Sequence, residues 1–97
     1  MMKTLYKDIP LKSGDILTKG SKVTVRSIPD NYRACVVNNG VRDYQLRYTS
    51  VFKTPSMHCL EKYSYDSVCS TPAGNQTEPD GYDDEGFPSW LLILGMI

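Results

Sequence analysis

The segment Lys22-Val23-Thr24-Val25-Arg26-Ser27-Ile28 alternates polar and apolar side chains and is rich in β-branched residues. That period dictates an extended strand with Val23 and Val25 on one face. Ser13-Gly14-Asp15 and Lys19-Gly20-Ser21 precede it as turn signals. A second pair of strands flanks Asn38-Asn39-Gly40, where glycine supplies the positive φ of a tight hairpin. A two-residue turn would set Arg33, Cys35 and Val37 opposite Leu46, Tyr44 and Arg42. A three-residue turn with Gly40 left-handed sets Tyr32, Ala34 and Val36 there instead. The three-residue turn gives the more apolar face and is the expected register. In both, Tyr44, Leu46 and Tyr48 point inward, and a last short strand is expected over Thr49–Lys53.

At Thr54-Pro55-Ser56 the period changes. Thr54 suits an N-cap and Pro55 the first helical position, where a missing N–H costs nothing. Met57, Leu60, Ser64 and Val68 then share a face beside Tyr63, which predicts a helix from about 55 to 68. Thr71-Pro72-Ala73-Gly74 closes it, and residues 75 to 86 form a turn-rich acidic segment. Ser89 caps a short helix, Trp90–Leu94, ended by Gly95. No internal repeat is apparent.

These elements predict one α+β domain over residues 1–97. Residues 1–53 form a small antiparallel sheet or SH3-like barrel. Residues 54–97 carry the helix, the acidic loop and an apolar C-terminus whose short helix seals the core. A chain of 97 residues has little apolar area to spare, so Trp90-Leu91-Leu92-Ile93-Leu94-Gly95-Met96-Ile97 is expected to pack inside.

Charge is strongly polarised although it sums to zero. All eleven basic residues lie between Lys3 and Lys62 with five acidic ones, a surplus of six. From Tyr63 onward there are six acidic residues and no Lys or Arg. Two surfaces follow as candidates. The acidic loop Glu78, Asp80, Asp83, Asp84 and Glu85, with Tyr82 or Phe87 as an exposed anchor, suits a basic groove on a protein partner. The basic residues Lys19, Lys22, Arg26, Arg33, Arg42 and Arg47, interleaved with Tyr32, Tyr44 and Tyr48, suit a nucleic acid. The absent net positive charge counts against that second surface.

Catalytic and metal signatures are not found. Cys35, Cys59 and Cys69 form no CxxC pair, and reduced thiols are expected. Adjacent His58 and Cys59 diverge by about 100° on a helix, which suits neither a shared zinc ion nor a nucleophile pair. Asp80-Gly81-Tyr82-Asp83-Asp84-Glu85-Gly86 lacks the ligand spacing of a calcium-binding EF-hand. There is no Gly-rich phosphate loop and no Ser-centred elbow. A non-enzymatic protein without cofactor or metal is expected. The longest apolar run is far shorter than the roughly 20 residues a membrane span requires. Lys3 and Lys7 lead to Asp8 and Pro10 rather than to an apolar leader, so a soluble cytosolic domain is expected.

The ending Glu78-Pro79-Asp80-Gly81-Tyr82-Asp83-Asp84-Glu85-Gly86-Phe87-Pro88-Ser89-Trp90-Leu91-Leu92-Ile93-Leu94-Gly95-Met96-Ile97 resembles the terminus of small accessory, non-virion proteins of tailed bacteriophages. Leu11-Lys12-Ser13-Gly14-Asp15-Ile16-Leu17 and Thr49-Ser50-Val51-Phe52-Lys53-Thr54-Pro55-Ser56 are similar to the same proteins. The resemblance assigns no residue a role. It implies a protein made in the host bacterial cytoplasm that binds a host protein and inhibits or redirects a defence or nucleic-acid-processing complex. The alternative is a small nucleic-acid-binding β module acting through the basic half.

Overall fold

A computed structural model describes all 97 residues, in the order β1 (Met2–Thr4), β2 (Ile9–Pro10), β3 (Ile16–Leu17), β4 (Lys22–Ile28), β5 (Asn31–Asn38), β6 (Asp43–Arg47), α1 (Tyr48–Val51), α2 (Met57–Asp66), β7 (Cys69–Ser70), β8 (Gln76–Thr77) and α3 (Trp90–Ile93). The architecture is α+β. Its centre is a four-stranded antiparallel sheet in the order β1-β4-β5-β6, accompanied by the hairpins β2-β3 and β7-β8. The sheet is open: β1 and β6 are its two edges and do not pair with each other. Of the two arrangements expected, the small antiparallel sheet is the one formed.

Alternation sets the core. Val23 and Val25 of β4 and Cys35 and Val37 of β5 are buried on one face, while Thr24 and Arg26 are exposed on the other. Complete burial of a valine-sized side chain contributes about 1.5–3 kcal/mol. Helices and loops cover this face with Leu60, Phe87, Trp90, Leu91 and Ile93.

The β5-β6 register differs from the expected one. Val37 pairs with Tyr44 and Cys35 with Leu46, across a four-residue connection, Asn39–Arg42. Cys35 and Val37 therefore face inward, and Ala34 and Val36 lie on the opposite face. Side-chain chemistry explains the longer loop: Asn39 Oδ1 accepts from the N–H groups of Val41 and Arg42, each at 2.9 Å, and Asn38 Oδ1 accepts from Gly40 N at 2.7 Å. Asparagines that satisfy the backbone themselves stabilise a wider turn than the ladder alone would.

A strand expected over 49–53 is replaced by α1. Tyr48, Val51 and Phe52 are all buried, and their i, i+3, i+4 spacing is helical rather than alternating. α2 is shorter than expected at both ends. Ser56, not Thr54, is its N-cap, with Oγ accepting from Cys59 N at 3.3 Å. Ser67 ends it in the left-handed conformation at φ 56°, and the chain turns so that Cys69 enters the core. α3 follows expectation: Ser89 Oγ accepts from Leu92 N at 3.1 Å, and Trp90, Leu91 and Ile93 are buried.

A backbone repeat is present where the residues showed none. Leu11–Asp15, Thr71–Asn75 and Asp83–Phe87 fold into the same turn. In each the first N–H donates to the fifth C=O, at 2.8, 2.9 and 2.9 Å, and the fourth residue is a glycine whose N–H returns to the first C=O. Those glycines sit at φ 92°, 85° and 84°, where another residue would be strained. The first two turns cap the hairpins β2-β3 and β7-β8, and the third is closed by a bridge between Tyr82 and Pro88. Only glycine is shared in type among the three, so residue identity conceals the repetition.

Candidate binding groove

The acidic loop is built into the fold more than its charge suggested. Asp83 is half-buried, and its carboxylate accepts four hydrogen bonds. Oδ1 takes Glu85 N and Phe87 N, each at 2.9 Å, and Oδ2 takes Thr71 Oγ1 at 2.6 Å and Asn75 Nδ2 at 3.2 Å. Glu85 Oε2 accepts from the same Asn75 Nδ2 at 2.9 Å. These two acids tie the third turn to the second. Phe87, expected as an exposed anchor, is only 2% exposed and packs in the core, because its neighbours Gly86 and Pro88 turn it beneath Tyr48. Tyr82 remains exposed, as do Glu78, Asp80 and Asp84, whose carboxylates make no hydrogen bond or ion pair within the chain. The loop is therefore not neutralised by the protein's own cations: the single ion pair joins Arg26 to Asp43, at 3.1 Å, both on the sheet.

The basic residues separate into two groups. Lys19 and Lys22 are exposed, and Arg26 is occupied by Asp43 on the outer face of the sheet. Arg33, Arg42 and Arg47 converge instead on a groove of about 910 Å³, joined by Lys12. Pro10, Leu11, Tyr44, Gln45, Leu46 and Ser50 complete much of its lining, and no carboxylate lines it.

Local structure places each cation. Asn31 Oδ1 accepts from Arg33 N at 3.0 Å and Ala34 N at 3.2 Å, so β5 bulges here: Ile28 pairs with Asn31, whereas the preceding Ser27 pairs with Cys35. The bulge re-aims Arg33, whose guanidinium lies 5.7 Å from the Tyr32 ring. Arg42 ends the loop held by Asn39, and Arg47 ends β6 as the N-cap of α1. Lys12 rides on the first of the three repeated turns. It was missed in the sequence because it lies far along the chain from the arginines, and only the hairpin's position against β6 unites them.

The groove takes its lining from both faces of one strand: Tyr44 and Leu46 from the core side of β6, Gln45 and Arg47 from the outer side. It therefore runs along the free edge of β6, with the β2-β3 turn as its other wall. Four cations without a counter-charge in one concavity focus a positive potential that attracts anionic groups.

Cys35 and Cys69 are buried and Cys59 is exposed, all as free thiols. Burial pushes the Cys35 thiol up to about 12, away from nucleophilic use. Burial also raises Tyr48 well above an ordinary phenol, with smaller contributions from Cys35, Asp83 and Tyr82. No three His, Cys, Asp or Glu side chains come together to hold a metal ion. No helix is long and apolar enough to cross a membrane. Comparison with protein-family models, curated proteins and solved structures finds no match to this chain. Fold and site together define a small α+β protein with a basic groove on a sheet edge.

Proposed function

We propose that the protein is a non-enzymatic binding module whose groove captures a carboxylate-rich segment of another protein. The observation that carries this reading is the convergence of Lys12, Arg33, Arg42 and Arg47 on one concavity lined by no acid. With the resemblance to tailed-phage accessory proteins, the partner is a host bacterial protein, and its capture inhibits or redirects a defence or nucleic-acid-processing complex in the host cytoplasm. This moves the contact surface from the acidic loop to the basic half.

A nucleic acid is the second reading, favoured by Tyr44 beside cations that would also suit phosphates. Against it stands a chain of zero net charge, whose six acidic residues beyond Tyr63 would repel a polyanion during approach. Fluorescence anisotropy with a labelled Glu-rich peptide and a labelled single-stranded oligonucleotide separates the two. The peptide is expected to bind, and Arg33→Gln with Arg47→Gln to weaken it by about tenfold or more. Binding of the oligonucleotide alone would reverse the order of the readings. Peptide affinity unchanged by the double variant would remove the groove from either.

A further inference from the structure

We propose that the bound segment joins the sheet as an added β-strand on the free edge of β6, and that it alternates acidic with apolar residues. This rests on the groove reading above and specifies its partner.

The hydrogen-bond pattern points to the edge. Asn39 N donates to Arg42 O at 3.3 Å, and the antiparallel register continues from there through Val37–Tyr44 and Cys35–Leu46. Hydrogen-bonded pairs alternate with non-bonded ones in such a ladder, so Tyr44 and Leu46 exchange bonds with β5. The N–H and C=O of Gln45 and the N–H of Arg47 then face away from β5, into the groove, whereas the Arg47 C=O, at the N-cap of α1, belongs to the helix. β6 contains no proline, and the sheet's register shift falls between β4 and β5, not in β6. It thus lacks two of the devices that ordinarily blunt an edge. Main-chain groups of this kind recruit an extended peptide, and the flanking pockets select its side chains.

Side-chain selectivity follows from the two faces. A strand laid beside β6 sends alternate side chains to opposite sides. One set meets Gln45 and Arg47 on the outer face. The other meets Tyr44 and Leu46, with Pro10 and Leu11 on the facing wall. The first environment suits Glu or Asp, the second an apolar residue. Arg33, Arg42 and Lys12 add positive potential around the same groove and exclude basic segments.

The test uses a short labelled peptide alternating Glu with Val, and two versions N-methylated on the backbone at either the Glu or the Val positions. An added strand points only one of these sets of N–H groups at β6, so one methylated peptide should lose affinity by about tenfold or more while the other keeps it. Equal affinity of the two methylated peptides overturns strand addition. If they also bind as well as the parent, and all three weaken with Arg33→Gln and Arg47→Gln, the groove reading survives without it. A parent peptide that fails to bind overturns both. A concentration-dependent dimer in sedimentation that excludes the peptide would make a second copy of this chain the occupant, and would likewise overturn the proposal.

Discussion

The ring of Tyr48 stands edge-on to that of Phe87, with centroids 6.2 Å apart and planes at 75°. Tyr48 opens the helical turn after β6, whereas Phe87 follows the acidic loop, so the contact joins the basic half to the acidic half through the core. Phe87 is 2% exposed, and truncating a phenylalanine so buried costs about 3–5 kcal/mol. Phe87→Ala is expected to lower the unfolding free energy by that amount, measured as the shift in urea midpoint multiplied by the m-value. A change below about 1 kcal/mol would return Phe87 to the surface role its position in the loop suggested.

Tyr48 brings a second consequence. Its hydroxyl is fully buried and has no hydrogen-bond partner. An unpaired buried hydroxyl carries a desolvation cost of about 1–3 kcal/mol, while its ring keeps the contacts with Phe52 and Phe87. Tyr48→Phe should therefore be neutral or stabilising by roughly 1 kcal/mol in chemical denaturation. Destabilisation by a comparable amount would reveal a partner for the hydroxyl.

Cys35 makes stability pH-dependent on the alkaline side. Burial holds its thiol protonated up to about 12, against 9.0 for a free thiol. Between these values the unfolded chain loses a proton that the folded chain keeps, so unfolding becomes more favourable as pH rises. The stabilisation is complete below pH 9 and declines toward about 12, by an amount on the order of 2–4 kcal/mol. Denaturation midpoints measured across that window should fall more steeply for the native chain than for Cys35→Ala. Parallel slopes would show that Cys35 ionises freely in the folded state.

Much of this architecture is legible in local pattern. The alternation at Val23 and Val25, the cap at Ser89 and the apolar run from Trp90 all depend on neighbours within a turn or two, and each formed as its residues dictate. What escaped depends on longer relations. The β5-β6 register was decided by asparagine side chains competing for turn N–H groups, which the apolarity of the strand faces does not encode. The helical spacing of Tyr48, Val51 and Phe52 was masked by their β propensity. Arg33, Arg42 and Arg47 were visible as basic residues, but Lys12 and the open edge of β6 became a site only through tertiary arrangement.

The repeated turn predicts unequal costs for the same substitution. An added Cβ at Gly74 meets nothing within 4 Å, so Gly74→Ala pays only the strain of φ 85°, about 1–2 kcal/mol. At Gly86 the Cβ would lie 2.9 Å from Ser27 Oγ, beside the irregularity of β4, at a similar φ of 84°. Gly86→Ala is expected to be the more destabilising of the pair. Adding Ser27→Ala should recover part of the difference, which denaturation of the four proteins measures as a coupling. Equal losses at the two glycines would mean that the third turn is not held against β4.

The two charged surfaces make opposite demands on a binding experiment. Glu78, Asp80 and Asp84 are exposed and unpaired, so replacing them with Gln, Asn and Asn disturbs no contact within the fold. Stability should move by no more than about 0.5 kcal/mol. If the groove is the contact surface, removing three acids leaves the acidic peptide bound at least as tightly, because the chain becomes more positive and repels it less. Its association should also become faster at low salt, with the gain shrinking as ionic strength rises. Stopped-flow association rates at two salt concentrations measure this directly. A host partner whose binding is abolished by these three substitutions, yet unaffected by Arg33→Gln with Arg47→Gln, would show that the acidic loop is the surface in contact.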